Sequence, residues 1–293
     1  MRWMAAVVLL MAMGLLGTAE AQEAESLFQE AVQAAQGNNY EASLASFEAA
    51  LKADPNNLRY GNEYRLTVVT INRVKTYDRC IAFFKQLVAD DPKASNAWMN
   101  LGYAYVDKIP AEGAITQVLL ANTALGYFSA ALDVEESWLG RYTRGNSYLY
   151  WPAIFGRTRS AIADLEKAIE LSQQMDKRGY HVRAYIGLGE AYWRLNDLEK
   201  ARQIWREALQ LFPDDKALPV LLEQDDKALN AFLTAHFEPG KRVDTNVSAT
   251  WEEQERQVRL EQDDKASPAR PATHLEPGRG VDTSVGESSG KAH

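Results

Sequence analysis

The residue types that most often carry catalysis are sparse and poorly spaced in this chain. The histidines are His181, His236, His274 and His293, and the single cysteine is Cys80. They share no spacing at which imidazole and thiolate groups bind zinc or haem iron. The sequence also lacks the Gly-x-Ser-x-Gly turn that carries a nucleophilic serine. It therefore predicts no metal, no cofactor and no catalytic group.

A phosphate-binding function is also disfavoured. Residues 286–291, Gly-Glu-Ser-Ser-Gly-Lys, imitate a phosphate-binding loop, but they are one residue short and lack the following serine or threonine. The formal net charge is −8, from 32 basic and 40 acidic residues. Nucleic-acid-binding proteins usually carry a basic face, so we expect no nucleic-acid partner.

The elements that could position a binding surface are clearest in residues 182–213. Two helical patterns stand back to back there, separated by Asn196 and Asp197 and closed by Pro213. Bulky residues fill one face of each helix, and small residues occur where the two backbones must approach closely. One such hairpin cannot bury its apolar face alone, so it requires neighbours of the same kind. The bulky positions are Tyr185, Leu188, Tyr192, Ile204 and Trp205, and the small ones are Gly189, Ala201 and Ala208.

The same pattern returns in four copies upstream. Its positions there are Leu27, Ala31, Phe47 and Ala50; Tyr64, Val68, Cys80 and Phe84; Trp98, Leu101, Gly102, Tyr105, Ala124, Phe128 and Ala131; and Gly145, Tyr148, Ala161, Leu165 and Ala168. The pattern closely resembles the tetratricopeptide repeat. The resemblance implies an all-α, right-handed α-solenoid of about five helical hairpins. The five copies cover residues 24–56, 61–93, 95–136, 138–173 and 182–213.

The resemblance also implies which side chains bind a partner, because the first helix of each repeat lines the concave face in that family. Aromatic, arginine and amide groups dominate these positions, as they do in binding hot spots. For each aromatic residue the alternative is packing between helices. The family's carboxylate clamp for chaperone C-termini is not reproduced, since only Arg183 falls in place. The implied groove residues are Asn62, Arg65, Asn72, Arg73, Met99, Tyr103, Tyr142, Asn146, Tyr150, Arg183, Glu190, Trp193 and Arg194.

The third and fourth copies have long loops between their two helices, at residues 107–113 and 151–157. Insertions in repeat proteins lie on loops, often on the binding face. Because these copies are neighbours, we expect Ile109, Trp151 and Phe155 to meet on one edge of the array. Contiguous exposed apolar patches usually mark interaction sites, which makes Trp151 and Phe155 candidates for partner binding. The alternative is that they fill the gap between the two repeats.

The start of the chain predicts export. Residues 1–21 have the layout of a secretory signal peptide, with Arg2, an apolar run over residues 3–16 and a small-x-small site ending at Ala21. The apolar run is too short to cross a bilayer comfortably. We expect cleavage after Ala21 and a soluble protein, periplasmic or secreted, without a membrane span; the alternative is an uncleaved anchor. Cys80 has no partner for an internal disulfide, and we expect it to be a buried core residue.

A capping helix is expected after the fifth copy, over residues 225–237 of a capping region 214–237. Such a helix would cover the apolar end of the array. A partly ordered extension is expected to follow over residues 238–266. The stripe that predicts the capping helix consists of Leu229, Phe232, Leu233 and His236.

The end of the chain contains an internal duplication. Residues 222–248 recur at 260–286, with 16 of 27 positions identical. Pro268 and Pro271 prevent the second copy from forming the same helix. We therefore expect a disordered tail over residues 267–293, where glycine, serine and proline are frequent.

The sequence thus predicts a non-catalytic protein-protein interaction scaffold exported to the cell envelope. Its partner would be a peptide or protein bound in the concave groove, at the loop edge, or at both. One alternative is a structural accessory or regulatory subunit of an envelope enzyme or export complex. Another is an enzyme with an unrecognised site, which the lack of any catalytic constellation disfavours.

Overall fold

The computed structural model describes residues 21–238 and 243–252. The chain divides into two units, Met1–Glu253 and Gln254–His293, and every described residue belongs to the first. The predicted signal peptide before Ala21, the second copy of the duplication and the predicted tail lie outside the described residues.

Helices pair in sequence order to build an all-α solenoid of helical hairpins. From α2 to α10 each helix packs against the next one along the chain, and α3 and α7 also contact the first helix of the following repeat, so that apolar faces are buried between neighbours. The helices are α1 (21–36), α2 (Tyr40–Ala53), α3 (Leu58–Ile71), α4 (Val74–Asp90), α5 (Ser95–Lys108), α6 (Ala114–Val134), α7 (Trp138–Leu149), α8 (Thr158–Ser172), α9 (Val182–Arg194), α10 (Leu198–Leu211), α11 (Ala217–Glu223) and α12 (Asp226–His236).

The first helix of the second repeat begins and ends earlier than its apolar periodicity indicates, and the second helix begins earlier. Periodicity places its helices at 61–74 and 77–89, whereas α3 ends at Ile71 and α4 begins at Val74. The reason is capping. Asn57 accepts a hydrogen bond from the backbone N–H of Tyr60 at the start of α3, and Asn72 is left-handed, with φ 51°, at its end.

Asparagine closes the tight turns of three repeats. Asn38, Asn72 and Asn196 have φ of 59°, 51° and 61°, and each follows the first helix of its repeat. Asparagine visits this left-handed region more readily than other residues with a side chain. Repeats three and four replace the tight turn by the 3₁₀ turns Ile109–Ala111 and Ala153–Phe155.

The predicted small positions lie where helices are in closest contact. A Cβ on Gly189 would stand 2.1 Å from the indole nitrogen of Trp205, and one on Gly102 would stand 2.4 Å from the ring of Phe128. The Trp205 indole N–H donates to the carbonyl of Ile186 at 3.1 Å. The glycines therefore admit the large rings of the second helices. Cys80 is buried in the core, as predicted.

The capping region contains two helices where the sequence predicts one. Leu229 and Leu233 of α12 are fully buried in the same cluster as Trp205, and so are leucines of the unpredicted helix α11. Phe232 was expected on the buried stripe but lies exposed, and so does His236. The i, i+4 pair of leucines alone faces the core, so the stripe is narrower than predicted.

Candidate functional site

The floor of the concave groove is a buried polar cluster, which we call the polar floor: Asn62 and Arg65 of α3, with Asn100 and Asp107 of α5. The Arg65 guanidinium donates from Nε to Asn100 Oδ1 at 2.9 Å and from Nη1 to Asp107 Oδ2 at 2.8 Å. Its Nη2 donates to Asn62 Oδ1 at 3.2 Å. Gly61 lets the helices meet here, because a Cβ would stand 2.2 Å from the Asn100 amide.

A segment from the C-terminal part of the chain lies on this floor. We call residues 243–248 the groove segment. Arg65 Nη2 donates to the carbonyl of Thr245 at 3.0 Å, and the backbone N–H of Val247 donates to Asn62 Oδ1 at 3.1 Å. The Thr245 hydroxyl donates to Asp107 Oδ1. The floor thus binds both backbone atoms and side chains of the segment.

Burial and local hydrogen bonds hold the groove segment in place. The side chains of Thr245 and Val247 are buried, and Asn62 Nδ2 donates to the Asn246 side chain at 3.2 Å. The Asp244 carboxylate accepts from the N–H of Asn246 at 3.0 Å. After the segment the chain is helical from Ala249, and Trp251 packs on the core of the first repeats.

The middle of the groove is formed by predicted residues of repeats three and four. Tyr103 places its ring 4.6 Å from the Arg65 guanidinium and its hydroxyl 2.5 Å from that of Thr143. Met99 is buried in the core. A small cavity of about 40 Å³ remains beside the groove segment, and its walls include Tyr103, Tyr142, Asn146, Arg183 and Asp244.

The far end of the groove is covered by Phe237, which directly follows α12. Its ring lies 5.1 Å from that of Tyr150 and 6.2 Å from that of Trp193. The Arg194 guanidinium stands 4.3 Å from the Phe237 ring centre. The C-terminal part of the chain therefore contacts predicted groove residues at both ends, first at repeats four and five and then at repeat two.

Two ionisable groups at this far end, Glu190 and Arg194, have their pKa shifted by burial. Burial raises the pKa of Glu190 to about 8, with Arg194 acting in the opposite direction. Burial also lowers the pKa of Arg194. No carboxylate of the described residues lies within 4 Å of this guanidinium, which donates to the carbonyl of Trp151 at 3.3 Å. Tyr142 has its pKa raised to about 12 by burial. Desolvation thus disfavours the charged form of each of these groups.

The two long loops line one cavity, through Ile109 of the first and Trp151 of the second. The second loop exposes Ile154 and Phe155 but not Trp151. Trp151 is only 7% exposed, with the Arg157 guanidinium 3.7 Å from its ring centre and Phe155 5.4 Å away. It fills space between repeats, which was the alternative for this residue. Phe155 is 54% exposed, and Ile154 is 89% exposed.

The first half of α6 also exposes apolar side chains, at Ile115 and Leu119. We call Ile115, Leu119, Ile154 and Phe155 the apolar edge. Beside them an open cavity of about 290 Å³ has mostly apolar walls, which include Ile109, Val118, Trp151, Phe237 and Val243. Among the described residues, no group of three or more His, Cys, Asp or Glu side chains is placed to hold a metal ion.

In a comparison with models of known protein families, two stretches of the chain match a family. Residues 24–57 and 154–214 each match the tetratricopeptide repeat. The chain contains tetratricopeptide repeats. None of the curated proteins compared with it matches.

Solved structures resembling this tetratricopeptide protein include a thermophilic one from Thermus thermophilus. It is 24% identical, over 68% of this chain and 96% of that one, with a TM-score of 0.48. MamA is 20% identical, over 64% and 91% of the two chains, with a TM-score of 0.44. YrrB, described as having an unusual peptide-binding site, is 18% identical over 66% and 88%, with a TM-score of 0.42.

Helix α6 is, in the part of the chain that the structure describes, long and apolar enough to cross a membrane by length and composition alone. Its 21 residues contain a window of mean hydropathy 1.3, of which 28% is buried. A single helix of this kind is weak evidence for a span. Its second half contributes Ala124, Phe128 and Ala131 to the core of repeat three of the tetratricopeptide array.

Two predicted groove residues lie elsewhere. Asn72 and Arg73 stand in the turn between α3 and α4, where the Asn72 side chain accepts from the Tyr77 hydroxyl at 3.1 Å. The earlier end of α3 removes them from the concave face of the first helix. They cap and connect helices.

Sequence reasoning did not identify two floor residues and the groove segment. Asp107 was assigned to a loop, although its spacing of four residues from Tyr103 places both on one helical face. Asn100 lies beside the predicted Met99 on α5. For the groove segment the available signal was the duplication, because residues 243–248 belong to the stretch that recurs.

Proposed function

We propose that this tetratricopeptide protein is a non-catalytic interaction scaffold of the cell envelope whose concave groove binds a short peptide segment. One observation carries the proposal: the polar floor binds backbone atoms of residues 245 and 247 of its own chain. The proposed export rests on the signal-peptide layout of residues 1–21.

The contacts define the class of peptide that fits. Arg65 donates to a carbonyl, and Asn62 accepts from an N–H two residues later, so both side chains bind backbone atoms that nearly every peptide has. Asp107 accepts from a hydroxyl, and an aliphatic side chain is buried at position 247. The partner is therefore a segment with threonine or serine, one further residue and then valine or a similar aliphatic residue.

The polar floor is suited to being occupied. Arg65 and Asp107 are almost fully buried, and the groove segment satisfies part of the hydrogen-bonding capacity of both. A buried polar group left without a partner costs about 1–3 kcal/mol, and a charged one costs more. An unoccupied floor must take up water or another ligand. When the groove segment leaves, this cost favours its replacement by an external peptide of similar chemistry over an empty floor.

The test is peptide binding to a full-length protein in which the groove segment is disabled. Val247→Asp places a charge at a buried position, and Val285→Asp makes the same change in the second copy of the duplication. A fluorescent peptide of residues 241–252 should bind the double variant at least about tenfold more tightly than the parent, because a tethered segment competes at up to millimolar effective concentration. Fluorescence anisotropy measures this.

Two controls make the result specific. Val220→Asp introduces the same charge at an exposed site on α11 and should leave peptide binding at the parental level. A peptide carrying aspartate in place of Val247 should not bind. If the double variant keeps its helical circular dichroism and still does not bind the parent peptide, the groove is not a peptide site.

The apolar edge is a second candidate surface for the same scaffold. The observation that favours it is the exposure of three aliphatic side chains and one aromatic side chain near an open apolar cavity. The alternative of a fixed accessory subunit would use this edge as a permanent contact, with the groove segment never leaving the groove.

A further inference from the structure

The groove segment has a second copy in the same chain. Residues 243–248 are Val-Asp-Thr-Asn-Val-Ser, and residues 281–286 are Val-Asp-Thr-Ser-Val-Gly. The two valines, the aspartate and the threonine are identical. These include both residues of the first copy whose side chains are buried in the groove.

The main polar contacts of the first copy can be made by the second. Arg65 and Asn62 bind backbone atoms, which any sequence supplies. Asp107 accepts from the hydroxyl of Thr245, and Thr283 provides the same hydroxyl at the equivalent position. The chemistry that the polar floor recognises is therefore present twice.

The apolar contact is also repeated, and one polar contact is not. Val285 is equivalent to the buried Val247. Ser284 replaces Asn246, whose side-chain oxygen accepts from Asn62 Nδ2 at 3.2 Å. Loss of one net hydrogen bond weakens binding by roughly two- to tenfold. The first copy should thus be the preferred occupant, in agreement with the structure.

The second copy lacks the leucines that hold α12 on the array. Leu229 and Leu233, which are fully buried and hold α12 on the array, correspond to Ser267 and Pro271. The differences between the copies thus remove the residues that pack α12, whereas the residues that fit the polar floor are the same. If the second copy served as another capping helix, its leucines would be the same as in the first copy and the residues that fit the polar floor would differ.

We infer that residues 281–286 are a second ligand for the concave groove, exchanging with the groove segment within one chain. This inference rests on the proposed peptide-binding function. The chain from Phe237 to Val281 is 44 residues, which when extended could span on the order of 140 Å, so its length does not prevent the exchange.

The experiment compares four full-length proteins: the parent, Val247→Asp, Val285→Asp and the double variant. Each is titrated with labelled peptides of residues 241–252 and 279–290. The double variant should bind both peptides, the second roughly two- to tenfold more weakly. Val247→Asp alone should bind several-fold more weakly than the double variant, because its second copy occupies the groove. Val285→Asp alone should resemble the parent.

The outcomes separate this inference from the proposed function. If Val247→Asp binds the first peptide as tightly as the double variant does, the second copy does not occupy the groove and the inference is wrong. The same follows if the double variant binds the first peptide but not the second. If the double variant binds neither peptide, the proposed function itself fails.

Light scattering tests whether the exchange occurs within one chain. Val247→Asp should remain monomeric over the concentration range in which the parent is monomeric. A mass that doubles with concentration in Val247→Asp, but not in the double variant, would show that the second copy binds a neighbouring chain, and it would overturn the intramolecular assignment.

Discussion

The polar floor and the apolar edge differ in a way that reverses the usual relation between polarity and exposure. On the floor, Arg65 and Asp107 are almost fully buried, whereas Ile154 on the edge is 89% exposed. The floor is buried because a distant part of the same chain covers it. In a repeat protein, the exposure of a side chain thus depends on which other segments cover the array as well as on residue type. The covered polar floor suits contact with a peptide backbone, and the uncovered apolar edge suits contact with an apolar surface.

The largest effect is expected from breaking the polar floor. Arg65→Met leaves Asp107 buried without its cation, and removing one partner of a buried ion pair typically costs about 3–5 kcal/mol. Arg79→Met is the matched control, since Arg79 pairs with Glu41 and Glu48 at a partly exposed site and fully exposed pairs contribute only about 0–1 kcal/mol. Urea denaturation measures both. Equal stability of the two variants would mean that the floor is not buried as described.

The loop residues test the other side of the comparison. Trp151→Ser should cost about 3–5 kcal/mol, in the range of large-to-small changes at buried tryptophan, because it empties the space between repeats three and four. Ile154→Ser, three residues away, should change the unfolding free energy by less than about 0.5 kcal/mol, as exposed substitutions do. Thermal melting of both variants checks this. A loss of stability in Ile154→Ser would place the apolar edge in the core.

A third prediction concerns the close packing on which both regions depend. Gly189→Leu must displace Trp205, and overpacking of this kind costs about 1–3 kcal/mol or more. Gly126→Leu is the control, because a Cβ at Gly126 meets nothing within 4 Å. Differential scanning calorimetry should show a lower melting temperature for the first variant alone. Parental melting of Gly189→Leu would contradict the repeat register.

The smallest effect is a pH dependence at the far end of the groove. Glu190 has a pKa of about 8 in the folded protein against an ordinary value of 4.5. Between these values the unfolded chain loses the proton first, so the free energy of unfolding falls as pH rises. From pH 7 to 8 the fall should be about 1 kcal/mol, given 1.36 kcal/mol per pH unit for one full proton.

Glu190→Gln isolates this contribution because it cannot ionise. From pH 7 to 8 the free energy of unfolding of the parent should fall relative to that of this variant. If the two proteins show parallel pH profiles, Glu190 has an ordinary pKa and is accessible to solvent.

The repeat architecture could be predicted from sequence because each hairpin carries its own periodic pattern, as Gly189 and Trp205 illustrate. The ends of α3 could not be predicted, since the capping asparagines Asn57 and Asn72 override the apolar periodicity. The contact between the polar floor and the groove segment could not be predicted either. Asn62 and Val247 are 185 residues apart, and no local pattern connects two side chains at that distance in sequence.

Cys80 gives the groove a chemical reporter of its own. Burial raises the pKa of this thiol well above its usual value, and the nearby Asp107 carboxylate adds to the effect. Since the thiolate is the reactive form, a maleimide can modify Cys80 only when repeat two opens. The rate of modification is then a measure of local opening beneath the polar floor. Because Cys80 is the single cysteine of the sequence, this kinetic assay needs no engineered labelling site.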